Sequence, residues 1–184
     1  MSGLASDCPS VIPGAGLRHL VSQVRQACAA PMDEMSERMT AALGAVIGDA
    51  DLVSPQARRA SPDRYARHML YADPGGRFTL VALVWMPGQF SPVHGHHAWC
   101  AYAVHAGELT EASFGYDPAG RTATPTGKVV QAQGAISFGY AGLDNIHKLG
   151  NGGDNDAVSV HVYGLDGARV GTHLNRLVPV AAQA

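Results

Sequence analysis

Two imidazoles stand two residues apart in His94-Gly95-His96, and a third, His147, follows far downstream. In an extended strand, side chains at i and i+2 share one face, so His94 and His96 would present nitrogen donors in the same direction. A third histidine from another strand would complete a facial set of three nitrogens. On an octahedral metal such a set leaves three adjacent positions open, which lets one ion hold a small substrate and O2 together. An isolated His-x-His is also what a polar strand face produces by chance. The chain carries nine histidines in 184 residues, which points first to metal or proton chemistry.

A second group lies further on. Ser159, His161 and Tyr163 alternate along the sequence and so share a strand face. They read either as a hydrogen-bonded relay that aims the Tyr163 hydroxyl, or as a satisfied buried polar pair beside a tyrosine. Arg67 offers a planar guanidinium that can grip a carboxylate through two hydrogen bonds, with Tyr65 two residues before it. The alternative for Arg67 is an ordinary surface ion pair. Arg169 and Arg176 follow the Ser-His-Tyr stretch and are further candidates for an anion-binding pocket. Cys100 lies just beyond the histidine pair and reads as a plain buried cysteine unless a partner is found for it. Strand alternation turns His97 away from His96, and His105 falls where a strand should end, on the surface.

The elements that must position these residues have two textures. Residues 15–70 read as helical: Leu17, Leu20, Val21 and Val24 recur at helical spacing, and Met35, Met39, Leu43, Val46 and Ile47 continue it. Pro31 separates two segments, Ser54-Pro55 has the form of a helix N-cap and first position, and Ser61-Pro62 repeats it. The apolar stripes are those of packing faces. After Tyr71 come short β-rich runs: 78–85, 98–105, 108–116, 129–133, 136–140, 146–149 and 158–163. They are punctuated by turns such as Asp73-Pro74-Gly75-Gly76 and Asp117-Pro118-Ala119-Gly120. The expected fold is a mainly β sandwich or barrel with N-terminal helices. We divide the chain into a helical segment over 1–60, a barrel with the metal site over 61–178 and a loose tail over 179–184. A hydrophobic content of 46% with 15% charged residues fits a globular chain, and a net charge of −2 argues against a nucleic-acid binder or a membrane-surface protein. No apolar run reaches the length of a membrane span. Cys8, Cys28 and Cys100 match no zinc spacing, and residues 1–13 have no leader-like pattern, so the expected compartment is the reducing cytoplasm.

The spacing Gly88-x5-His94-x-His96-x3-Cys100-x6-Gly107 resembles the first motif of the cupins, with Cys100 where that motif has glutamate. Gly142-x4-His147-x3-Asn151 resembles the second. The fold implied is a double-stranded β-helix, or jelly-roll barrel. Four stretches in order, 65–70, 92–96, 144–147 and 157–163, are similar to the cysteine dioxygenase family of thiol dioxygenases. That resemblance implies one non-haem Fe(II) per chain held by His94, His96 and His147, with no carboxylate ligand. It implies O2 as co-substrate and a small thiol carboxylate, L-cysteine first, as the thiol that becomes a sulfinic acid. It gives Tyr163, His161 and Ser159 the acid-base or orienting role, and gives Arg67 and Tyr65 the substrate carboxylate. Relatives with glutamine at the Arg67 position tend to prefer 3-mercaptopropionate, and a second arginine, Arg169 or Arg176, would suit mercaptosuccinate. Animal members join a cysteine near the Cys100 position to the tyrosine matching Tyr163, although Cys100 sits one residue closer to His96 than theirs. The other readings are a zinc-dependent cupin and a non-catalytic one. No nucleic-acid or membrane partner is expected, and the chain is expected to be a monomer or a small homo-oligomer.

Overall fold

A computed structural model describes residues 14–182. Cys8, with the reading of residues 1–13, lies outside them. The order is α1 (Ala15–Ala27), α2 (Met35–Gly44), then β1 (Ala66–Ala72), β2 (Thr79–Trp85), β3 (His94–His96), β4 (Cys100–Ala106) and β5 (Leu109–Asp117). β6 (Thr122–Gln131), β7 (Ile136–Gly139), β8 (Gly142–Gly150), β9 (Ala157–Tyr163) and β10 (Asn175–Leu177) follow. The strands form two antiparallel five-stranded sheets, ordered β1-β2-β9-β4-β7 and β10-β3-β8-β5-β6. This is the two-sheet barrel with N-terminal helices that the sequence led us to expect.

Strands β2 and β9 are buried along their whole length, and the helices explain why. Leu80, Ala82, Val84, Val158, Val160 and Val162 face outward into a core shared with Leu20 and Val24 of α1 and Met39 and Leu43 of α2. Val81, Leu83, Trp85, Cys100, Tyr102 and Tyr163 face inward, against Leu109 and Leu149 of the second sheet. Period-2 alternation therefore sorts one strand set into two cores. Each fully buried aliphatic side chain in the helix-facing core contributes about 1.5–3 kcal/mol of transfer free energy. The stripes read from the sequence are the packed faces of α1 and α2.

Four local expectations are corrected. Residues 66–72 form strand β1, paired antiparallel with β2 from Ala66↔Val84 onward. There Arg67 and Met69 are exposed while His68 and Leu70 are half-buried, a period of two that a helical window absorbed. Ser54 does cap, its Oγ accepting from the Ala57 N–H at 3.3 Å, but it opens one turn of 3₁₀-helix over Pro55–Arg58, and Ser61-Pro62 opens none. The expected tail is tied down at its start. The Ala123 N–H donates to Pro179 O at 2.8 Å, and the Ala181 N–H donates to Ala123 O at 3.0 Å.

The fourth is His105, which lies inside β4 and is buried. Its Nδ1 donates to the Ile47 carbonyl at 2.9 Å, so Nε2 must accept from Arg58 Nη2 at 2.8 Å. The neutral ring thus ties the barrel to the loop after α2. Burial first, and the Arg58 charge, lower its pKa; the Ile47 bond and Asp49 oppose this. A histidine with a lowered folded pKa stabilises the fold above its unfolded value of about 6.5, and that contribution is lost as pH falls below it. His105→Gln is expected to lower the melting temperature at pH 8 and to flatten its decline towards pH 5 relative to the parent chain. Parallel melting curves for the two proteins across that range would discard the tether.

Candidate metal centre and active site

Strands β3 and β8 are hydrogen-bonded neighbours, with His94 in register opposite His147. The three imidazole rings are mutually 4.8–5.1 Å apart between centroids, and one nitrogen from each of His94, His96 and His147 lies within 4.8 Å of the others. Gly95 permits this approach, since a Cβ there would sit 2.4 Å from Gly142 O. His94 Nδ1 donates to Pro92 O at 2.8 Å and His147 Nδ1 donates to Glu111 Oε1 at 2.6 Å. Both rings are thereby left with Nε2 as the free donor atom. His96 Nδ1 is buried with no hydrogen-bond partner. Burial, then the neighbouring His147 imidazole, pushes His94 down to about 4 and His96 down to about 3. Their lone pairs are available at neutral pH, as metal ligation requires. Three imidazole nitrogen donors without a carboxylate fit a divalent transition metal.

Glu111, on β5, holds this set from outside. Besides His147, it accepts at Oε2 from Tyr102 Oη at 2.7 Å and Gln131 Nε2 at 2.9 Å. Burial alone would raise its pKa, but these hydrogen bonds, led by that from His147, hold it down to about 2. The carboxylate therefore stays ionised and fixes the His147 tautomer and ring orientation.

The Ser-His-Tyr face points into the same space. Ser159 Oγ lies 2.8 Å from His161 Nε2, and Tyr163 Oη lies 3.1 Å from His161 Nδ1. Trp85 Nε1 donates to Ser159 Oγ at 2.9 Å. Tyr102 stacks on the His161 ring with centroids 5.3 Å apart. Burial pushes His161 well down and Tyr163 well up, so the ring is neutral and the phenol protonated. Cys100 is in register opposite Tyr163 across the β4–β9 pair, and its Sγ donates to Ala101 O at 3.8 Å.

These groups line a cavity of about 330 Å³, mouth included, with Tyr65, Arg67, Ser91 and Asn175 also on its wall. Arg67 is exposed on β1 at the rim. Its Nη2 donates to Tyr65 Oη at 3.4 Å, and Tyr65 stacks on Trp85 with centroids 4.4 Å apart. Among the described residues no carboxylate pairs with Arg67, so the surface ion pair is not what occupies it. A second cavity of about 790 Å³ reaches His96 and His147 from the side of Glu111, Ser113 and Asp144.

A family model for cysteine dioxygenase type I matches residues 17–166. The chain belongs to the cysteine dioxygenase type I family. Membership makes it a dioxygenase-type oxidoreductase of the thiol-oxidising kind. Among solved structures it is similar in fold to TT1209 from Thermus thermophilus, at 20% identity and TM-score 0.48, over 60% of this chain and 91% of that one. A Cupin 2 conserved barrel domain protein from Salinispora arenicola CNS-205 is 21% identical, with TM-score 0.45, over 64% of this chain and 89% of the other. An oxalate oxidase solved with glycolate is 20% identical, with TM-score 0.46, over 74% and 64%.

Within this member of the cysteine dioxygenase family, the structure gathers His94, His96, His147, Tyr65, Arg67, Cys100, His161 and Tyr163 around one cavity, with Ser159 behind. Arg169 and Arg176 are not brought there. Arg169 ends an exposed turn, and Arg176 is exposed on β10 opposite Gly95. His97 stands outside the cavity, its ring 6.4 Å from that of His173. Glu111 and Trp85 were not singled out by the sequence reading. Glu111 had one signal, an acid inside a β-forming run, and Trp85 had none, because an indole in an apolar strand reads as core.

Proposed function

We propose that this chain is an Fe(II)-dependent thiol dioxygenase acting on a small thiol carboxylate, L-cysteine first, in the cytoplasm. The observation that carries this is one cavity with three clustered histidines at its base, an arginine at its rim with no carboxylate partner among the described residues, and a protonated tyrosine between. Iron held by His94, His96 and His147 would supply the place where thiolate and O2 meet. The balance is simple: RSH and O2 give RSO2H, with both oxygens on sulfur and no external reductant. Arg67, steadied by Tyr65, binds the carboxylate and so orients the thiol towards the histidines. Burial of the inner wall excludes water. Tyr163 keeps its proton and offers it as a hydrogen bond to the reacting groups.

O2 consumption by anaerobically iron-loaded protein, offered cysteine, 3-mercaptopropionate and mercaptosuccinate separately, tests the reading. Uptake of one O2 per thiol with a sulfinate product is expected, fastest with cysteine. Faster turnover of either other thiol would reassign the substrate. No uptake by iron-replete protein would leave a non-catalytic or zinc-dependent cupin.

Cys100 carries a linked expectation. Its register opposite Tyr163, with both residues lining the same cavity, supports a thiol close to the phenol ring. In the aerobically purified enzyme we expect a thioether from Cys100 Sγ to the ring carbon next to the hydroxyl. One S–H and one C–H bond break, and O2 takes up the two hydrogens and their electrons. Peptide mass mapping should find the Cys100 and Tyr163 peptides joined and two hydrogens lighter than their sum. Two separate peptides after extended turnover would leave Cys100 as a plain buried thiol.

A further inference from the structure

We infer that Trp85 sets the direction of the Ser159–His161–Tyr163 relay. The inference refines the oxygenase reading, on which its kinetic arm rests. An indole N–H can only donate, so the 2.9 Å contact has one sense: Trp85 gives a hydrogen bond to Ser159 Oγ. Ser159 is wholly buried, and its hydroxyl meets two groups, Trp85 and His161. Its single proton must then go to His161 Nε2; otherwise a buried hydroxyl would be left without an acceptor. His161 is thereby fixed as the tautomer protonated at Nδ1, and that proton is donated to Tyr163 Oη at 3.1 Å. The Tyr163 hydroxyl, satisfied as an acceptor, keeps its own proton for the cavity side, where Cys100 and the three metal-site histidines lie.

Put a group that can accept, such as a ring sulfur, in place of the indole donor, and the opposite sense is satisfied too, with the Ser159 proton turned to that group. Tyr163 can donate to His161 Nδ1, His161 Nε2 can donate to Ser159, and the phenol proton is then spent inside the relay. Trp85 stands on the cavity wall, but its indole N–H is turned to Ser159, so for this effect it is a positioning residue acting through Ser159. Its other contact, the stack on Tyr65, must be held constant in any test.

The test replaces Trp85 site-specifically with benzothienylalanine, in which sulfur stands for the ring N–H and the bicyclic shape is kept. The first readout is independent of activity: nitrogen NMR of the His161 ring in zinc-loaded, diamagnetic protein. The parent chain is expected to show a protonated Nδ1 and a bare Nε2, and the variant a mixture of tautomers. The second is steady-state oxygenation by the iron form, where kcat should fall about tenfold with KM for the thiol unchanged. In a Ser159→Ala background the same replacement should cost nothing further, because the group it acts through is gone. A parent ring protonated at Nε2, an unchanged tautomer in the variant, or losses that simply multiply in the double variant would each overturn the inference. If the parent oxidises no thiol, the oxygenase reading fails while the NMR arm still decides the role of Trp85.

Discussion

Replacing His147 by alanine is expected to abolish iron binding and, with it, the proposed thiol oxygenation. A site of three imidazole nitrogens has no anionic protein ligand to hold the ion, so losing one of three donors leaves a pair that cannot compete with water. The loss is compounded at Glu111, whose strongest hydrogen bond comes from His147. The carboxylate would be left half-buried and short of a donor. His94→Ala should behave in the same way, since its Nδ1 is already committed to Pro92 O and only Nε2 serves the site. Glu111→Gln offers the graded contrast. The three donors remain, but His147 is no longer oriented by a charge, and affinity should fall by about 10–100-fold rather than vanish. Metal analysis after anaerobic loading, beside an oxygen-electrode assay, separates the two. An iron-replete, active His147→Ala protein would sink the ligand assignment. Circular dichroism should remain that of the parent, because β8 keeps its ladder bonds to β3 and β5.

How much of this could be read from residues alone follows a physical line. The histidine pair was legible because strand alternation is local: His94 and His96 face the same way whatever surrounds them. Ser159, His161 and Tyr163 were legible for the same reason. The two-core role of β2 and β9 was not, since it depends on α1 and α2 covering the outer face, a contact between distant parts of the chain. Glu111 needed the β5–β8 pairing before its reach to His147 had meaning. His105 was misplaced because its partners, Ile47 and Arg58, come from the segment before the barrel. Arg169 and Arg176 show the converse error. Proximity in sequence to Tyr163 suggested proximity to the cavity, but the chain turns away after β9 and brings Asn175, not its neighbour Arg176, to the wall. Strand β1 was lost to a helical window because an edge strand with one exposed face has too few residues to announce its period.

Arg67→Ala is expected to raise KM for a thiol carboxylate by about 10–100-fold and to change kcat little. The reasoning starts from the rim position. Among the described residues Arg67 has no acidic partner, and its Nη2 makes a long hydrogen bond to Tyr65, so its guanidinium can meet an incoming carboxylate. A charge-assisted hydrogen bond contributes about 1.5–3 kcal/mol, and exposure at the mouth keeps the value towards the lower end. The carboxylate lies away from the sulfur that reacts, so the contact is made equally in the ground and transition states, and its loss appears in KM. Arg67→Lys should recover only part of the affinity, because an ammonium cannot reproduce the two parallel bonds of the fork. A thiol amine lacking the carboxylate supplies the internal control: whatever slow oxidation it undergoes should be indifferent to the substitution. Equal KM values for Arg67→Ala and the parent with every thiol acid would remove Arg67 from substrate binding and shift the search to Asn175 and Ser91 on the same wall. A fall in kcat with KM unchanged would mean that the guanidinium acts on the reacting groups, through the Tyr65–Trp85 stack that joins the rim to the Ser-His-Tyr relay.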